Sequence, residues 1–213
     1  FASNNNIDLG LSKLATTIKG FEVELLIGDP LKGKEYSKSC LGCHGKNFSG
    51  LISERSPSLP QLSNWYMQGQ LQKYKQNILG YKVEDSDGYS MSSLMKNYSN
   101  QQIADIVSYI KTFQPRKQLN MLHGDLENGK IEYQLNCMAC HQENGKGNKQ
   151  LYAPNLVGLS DVYIVNQLIK YRDGIRGSGN GDKHGKVMQL FAKNLKNETV
   201  MKDIASYIIS LQE

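Results

Sequence analysis

Outside two short motifs, this 213-residue sequence contains no cysteine. All four of its thiols lie in those motifs, so none remains for a structural disulfide or a catalytic nucleophile. No apolar run approaches the roughly 18 residues that a membrane helix needs. The greasiest stretches, residues 21–27 and 204–211, are short or broken by charge. No cluster of Lys and Arg interleaved with aromatic residues is present, which argues against a nucleic-acid partner. Strand signals are few, and the βαβ alternation of a thioredoxin-like protein is missing. Neither a carboxylate pair nor a Ser–His arrangement stands out.

With 39% hydrophobic and 21% charged residues the composition is that of a globular protein. The formal net charge is 25 − 20 = +5. Residues 1–118 carry 14 − 10 = +4 and residues 119–213 carry 11 − 10 = +1, so an electrostatic docking patch is expected on the first half. The first residue is Phe1 rather than Met. The expectation is a trimmed chain that has lost an export signal or anchor.

The cysteines stand in Cys40-Leu41-Gly42-Cys43-His44 and Cys137-Met138-Ala139-Cys140-His141. A shift of 97 residues lays one motif on the other. The same shift lays Tyr36 on Tyr133, Pro57 on Pro154, Tyr66 on Tyr163, Gln70 on Gln167 and Met91 on Met188. Upstream, Gly28-Asp29 and Gly33-Lys34 match Gly124-Asp125 and Gly129-Lys130 at a shift of 96, and Asp105 and Tyr109 match Asp203 and Tyr207 at 98. Two small indels over this length indicate duplicated domains, each too large for a solenoid repeat. The expected division is an extension over residues 1–27, a domain over 28–114, a linker over 115–123 and a second domain over 124–213. The extension has no counterpart in the repeat. Asn4 to Asn6 are expected to be mobile, and Phe21 to Leu25 alternates like a short strand.

Each copy reads as helical. Ser99-Asn100 forms an N-cap signal ahead of Ile103, Ile106, Val107 and Ile110, which recur at helical spacing. Asn197 precedes Val200, Ile204, Tyr207, Ile208 and Leu211 in the same way. Helices are also expected from Trp65 to Gln76 and from Tyr163 to Asp173, with Gly- and Ser-rich loops between, notably residues 174–185. Pro115 is expected to close the last helix of the first copy.

Three chemistries fit a Cys-x-x-Cys-His motif. A four-cysteine zinc site would have to join pairs 93 residues apart in separate repeats, whereas zinc ribbons use far shorter gaps. A redox dithiol lacks its βαβ setting. The third is covalent haem. Two thiols on one helical turn add to the two vinyl groups, and the next residue presents an imidazole to the iron. Two copies in register favour haem, with His44 and His141 as iron ligands.

The opposite ligand should occupy a shared position. Met91 and Met188 qualify, each in a loop by this reading; Met95 faces Ala192, and Met67 faces Ile164. His123, in the linker, and His184, opposite Asp87, are expected to be exposed loop residues. A thioether ligand stabilises ferrous iron and suits an electron carrier. Pro57 and Pro154 each open a Pro-x-Leu stretch whose carbonyl can accept the imidazole Nδ1–H and fix the ring. Tyr66 and Tyr163, in register, complete the candidate cofactor contacts.

With these residues in view the chain resembles the dihaem class I cytochromes c, most closely the cytochrome c4 family, over residues 28–213. The resemblance rests on Gly28-Asp29 and Gly33-Lys34 before the first motif, Pro57-Ser58-Leu59, Gln70-Leu71, Met91 before Tyr98-Ser99, and Tyr171-Arg172-Asp173-Gly174-Ile175-Arg176. It implies an all-α fold of two tandem cytochrome c domains in the periplasm, each enclosing one covalent haem. It also implies electron transfer to redox partners: a terminal oxidase or reductase, a quinol-cytochrome c reductase, or a flavoprotein. Arg176 then lies near a haem propionate. Its counterpart is Leu79, so the second haem is expected to have the higher potential. The same pattern resembles the dihaem subunit of flavocytochrome c sulfide dehydrogenases, which gives an alternative role as the electron-accepting subunit of a flavoenzyme. A self-contained haem enzyme fits less well, because both irons are expected to be saturated.

Overall fold

The computed structural model describes residues 15–16, 23–53 and 55–212. Asn4 to Asn6, Phe21 and Glu22 lie outside the described residues. Within the described part of the alternating stretch, Val23–Glu24 is a strand (β2), which pairs antiparallel with Ala15–Thr16 (β1). The other regular elements of the described chain are helices joined by loops, apart from an isolated bridge between Asn148 and Ala153. The first half contains α1 (Pro30–Tyr36), α2 (Leu41–His44), α3 (Asn64–Lys75), α4 (Ser86–Met95) and α5 (Asn100–Ile110). The second contains α6 (Leu126–Asn136), α7 (Met138–His141), α8 (Asp161–Arg172), α9 (Lys183–Asn194) and α10 (Glu198–Ser210).

The helix ends follow from local chemistry. Ser99 and Gln102 form a capping box at the start of α5. The Asn197 side chain accepts the Val200 N–H at the start of α10. Asp29 and Asp125 cap α1 and α6, each accepting two backbone N–H groups. Helix α5 ends at Ile110, well before Pro115, because Lys111 to Phe113 turn back on the last carbonyls.

Each half is built on one close helix crossing. A β-carbon at Gly33 would fall 2.0 Å from the Asp105 carbonyl oxygen, and one at Gly129 would fall 2.1 Å from that of Asp203. Glycine therefore lets α1 lie directly on α5, and α6 on α10. The Asp29 N–H donates to Asp105 Oδ1 at 2.8 Å, and the Asp125 N–H to Asp203 Oδ1 at 2.9 Å. Ile103, Ile106, Val107 and Ile110 on α5, with Met201, Ile204, Ala205 and Ile208 on α10, form the two buried stripes. Each large aliphatic chain buried this way contributes about 1.5–3 kcal/mol.

The halves meet about a pseudo-twofold axis. Lys73 on α3 reaches Asp182 Oδ1 at 2.7 Å, and its counterpart Lys170 on α8 reaches Asp85 Oδ1 at 2.6 Å. Counterparts also touch each other: the Tyr81 hydroxyl lies 2.8 Å from Ser178 Oγ, and Gln61 packs against Gly158. Reciprocal contacts of this kind define an isologous interface. Residues 23–27 add one further layer. Gln68 and Gln72, one turn apart on α3 and both buried, each accept a backbone N–H and donate to a backbone carbonyl of Glu24 or Leu26. They hold the end of the extension along the helix as a sheet neighbour would.

Candidate haem sites

Helices α2 and α7 are single turns that carry the second thiol and the histidine of each motif, with Cys40 and Cys137 at their N-caps. His44 and His141 are 6% and 4% exposed. The His44 Nδ1–H donates to the Pro57 carbonyl oxygen at 3.1 Å, and that of His141 to Pro154 at 2.9 Å. A carbonyl only accepts, so the bond fixes the proton on Nδ1 and leaves the Nε2 lone pair for a metal. Burial pushes both imidazoles below the usual histidine range, which favours this neutral form. Cys40, Cys137 and Cys140 are half-buried and Cys43 is exposed. Burial raises the Cys40 thiol and pushes Cys137 up to about 12, so as thiols these groups are poor nucleophiles at neutral pH.

In the second half one cavity collects Cys137, Cys140, His141, Pro154, Tyr163, Met188 and Arg176. These candidates, scattered over the sequence, therefore share one space. Tyr66 joins them from the first half, as do Val23 and Leu25 from the end of the extension. In the first half Met91 is half-buried on α4, while Met95, one turn later, is packed at 1% exposure. Both Met91 and Met188 lie in helices, not in the loops expected from sequence. Asp85 and Asp182 cap those helices by accepting the Gly88 and Gly185 N–H groups. Aspartate three residues ahead of glycine carries this signal in both copies.

The same capping corrects the reading of His184, which was expected in an exposed loop. It sits in the first turn of α9, one turn before Met188, stacked on the Tyr152 ring at 4.2 Å. It lines the cavity, and its Nε2 is buried. His123 is exposed in the linker, as expected.

Arg176 is 7% exposed. Its Nη1 donates to Gln167 Oε1 at 2.6 Å and its Nη2 to Gln70 Oε1 at 2.7 Å. Gln70 and Gln167 are counterparts, so the guanidinium stands between the halves rather than in one of them. Nη2 also lies 3.5 Å from the Tyr66 hydroxyl, and the guanidinium carbon is 5.0 Å from the Tyr171 ring centre. Its neighbours are thus neutral. The buried Nε has no hydrogen-bond partner among the described residues. A charged donor left open on a largely apolar cavity fits the carboxylate of a porphyrin.

The sequence model of the cytochrome c family matches residues 31–114 and again 126–212. The chain belongs to the cytochrome c family. Its two cytochrome c domains each carry a Cys-x-x-Cys-His motif, and two haem c groups attach covalently at Cys40 and Cys43 and at Cys137 and Cys140. The chain is 29% identical to cytochrome c4 of Azotobacter vinelandii over 196 residues, 86% of this chain and 90% of that one. It is 25% identical over 181 residues to a cbb3-type cytochrome c oxidase subunit FixP of Sinorhizobium medicae, of which it spans 58%. The cytochrome c4 structure from Acidithiobacillus ferrooxidans superposes with a TM-score of 0.66 at 25% identity, covering 82% of this chain and 99% of that one. As a dihaem cytochrome c the protein transfers electrons.

Proposed function

We propose that the protein is a periplasmic electron carrier of a respiratory chain, whose two haems are each ligated by histidine and methionine. His44 and His141 are the proximal ligands, and Met91 and Met188 the distal ones. The observation that carries this reading is the placement of His141 and Met188 on the walls of one cavity, with Nδ1 of the histidine already engaged by Pro154. The repeat extends it to His44, Pro57 and Met91. Bound in this way, haem iron supplies one-electron chemistry at a raised potential.

The chain's own residues do the rest. The prolyl carbonyls hold each imidazole in one orientation and increase its basicity. Arg176 offers Nε to a propionate, with Tyr66 and Tyr163 beside it. Val23 and Leu25 add apolar wall to the second cavity. Saturated iron leaves no position for substrate, so the partners are redox proteins: a terminal oxidase or reductase, a quinol-cytochrome c reductase, or a flavoprotein. No helix of the described residues is long and apolar enough to cross a membrane.

The test is the near-infrared sulfur-to-iron band of the oxidised protein. Met91→Ala and Met188→Ala are each expected to remove about half of it, and Met95→Ala none. Loss of the band on replacing Met95, with Met91 dispensable, would overturn the ligand assignment.

A further inference from the structure

The two lysine–aspartate pairs across the pseudo-twofold axis do more than join surfaces. Asp182 is the N-cap of α9, and Asp85 is the N-cap of α4. In each case one carboxylate oxygen, Oδ1, serves both partners. Asp182 Oδ1 accepts the Gly185 N–H at 3.1 Å and the Lys73 ammonium at 2.7 Å. Asp85 Oδ1 accepts the Gly88 N–H at 3.2 Å and the Lys170 ammonium at 2.6 Å. The groups are nearly dry, with the Lys73 and Asp182 side chains 11% and 3% exposed and those of Lys170 and Asp85 12% and 7%. Gly88 and Gly185 admit the carboxylates: a β-carbon at either would fall 2.0 Å from Asp Oδ2.

A cap fixes where a helix begins and which way its first turns face. Six residues after each cap comes the methionine assigned to the iron, about 9 Å along the axis. From this crossed arrangement we propose that each half positions the other half's distal ligand: Lys73 holds α9 and Met188 in place, and Lys170 holds α4 and Met91. The inference rests on the methionine ligation proposed above. Lys73 and Lys170 are positioning residues, since they act through an aspartate and a helix. In the first half a second carboxylate also reaches the lysine. Asp87 Oδ2 lies 3.1 Å from Lys170, and its Oδ1 receives Arg55 at 3.0 Å. His184 stands at the matching place in the second half. Removing a lysine leaves its aspartate buried without its counter-charge, a strongly unfavourable state that falls on the helix the aspartate caps.

A loosened thioether is easily displaced by an added ligand. The experiment uses the holoprotein and imidazole, with displacement read as loss of the sulfur-to-iron band. In a Met91→His background only the second haem retains that band, and in a Met188→His background only the first. Lys73→Met is expected to raise imidazole affinity at the second haem on the order of tenfold and leave the first unchanged. Lys170→Met is expected to do the reverse, and Lys73→Arg to restore the parental affinity. Equal effects on both haems, effects confined to the lysine's own half, or no effect would each overturn the proposal. If either methionine background fails to lose its share of the band, the ligand assignment fails instead, before any lysine is changed.

Discussion

At the scale of single residues, the two histidine–proline pairs match each other. Each ring nitrogen meets its carbonyl at the same sequence distance, 13 residues. Arg176 differs. From the sequence it was a charge of the second half alone, opposite Leu79; in the structure Gln70 and Gln167 grip it from both sides. A guanidinium about 10 Å from an iron opposes the added charge of the ferric state by roughly 2 kcal/mol at an effective dielectric near 20. Propionate and solvent cancel much of that. Redox titration of Arg176→Leu is therefore expected to lower both midpoints, by on the order of tens of millivolts for the second haem and less for the first. A shift confined to the first haem would contradict the placement. Met95 offers a second check. It fills the core at 1% exposure, so Met95→Ala is expected to cost about 3 kcal/mol in denaturant unfolding while the ligand band stays intact. What the sequence hid at this scale was His184, because a loop was read where Asp182 caps a helix.

The elements were legible where periodicity and capping agree. Helix α5 was visible in Ser99 and the Ile103–Ile110 spacing, and α10 in Asn197 and its apolar stripe. Helices α4 and α9 were not, because Ser, Gly and Lys in their first turns resemble loop composition. The Gly88 and Gly185 N–H groups donate to the aspartate side chains that cap these turns, a signal that composition does not show. The strongest element-level requirement is the glycine crossing of α6 on α10. Gly129→Ala puts a methyl group into the Asp203 carbonyl, and the helices must separate. The expected loss is about 3 kcal/mol, seen as a lowered unfolding midpoint for the second domain, with a comparable loss for Gly33→Ala in the first. A neutral result at both positions would mean that the crossing relaxes at no cost.

For the whole molecule, the internal repeat carried the two-domain architecture, and the family model matches once in each copy. What the repeat could not show was the interface: no periodicity records that Lys73 meets Asp182 or that Lys170 meets Asp85. Nor did the sequence explain the extension. Gln68 and Gln72 look like ordinary helix residues until the backbone of Glu24 and Leu26 is seen to satisfy both amides. Deleting residues 1–27 leaves these buried amides unpaired. The deletion is expected to cost about 4 kcal/mol by thermal or denaturant unfolding and to open the second cavity to water. Unchanged stability would contradict this role for residues 23–27. All of this organisation serves two covalent haems in one chain, and that claim meets its most direct test in mass spectrometry of the denatured protein. The account predicts the mass of the chain plus two haems, with one haem on the peptide containing Cys40 and Cys43 and one on the peptide containing Cys137 and Cys140. A single haem, or none with bound zinc in its place, would contradict it.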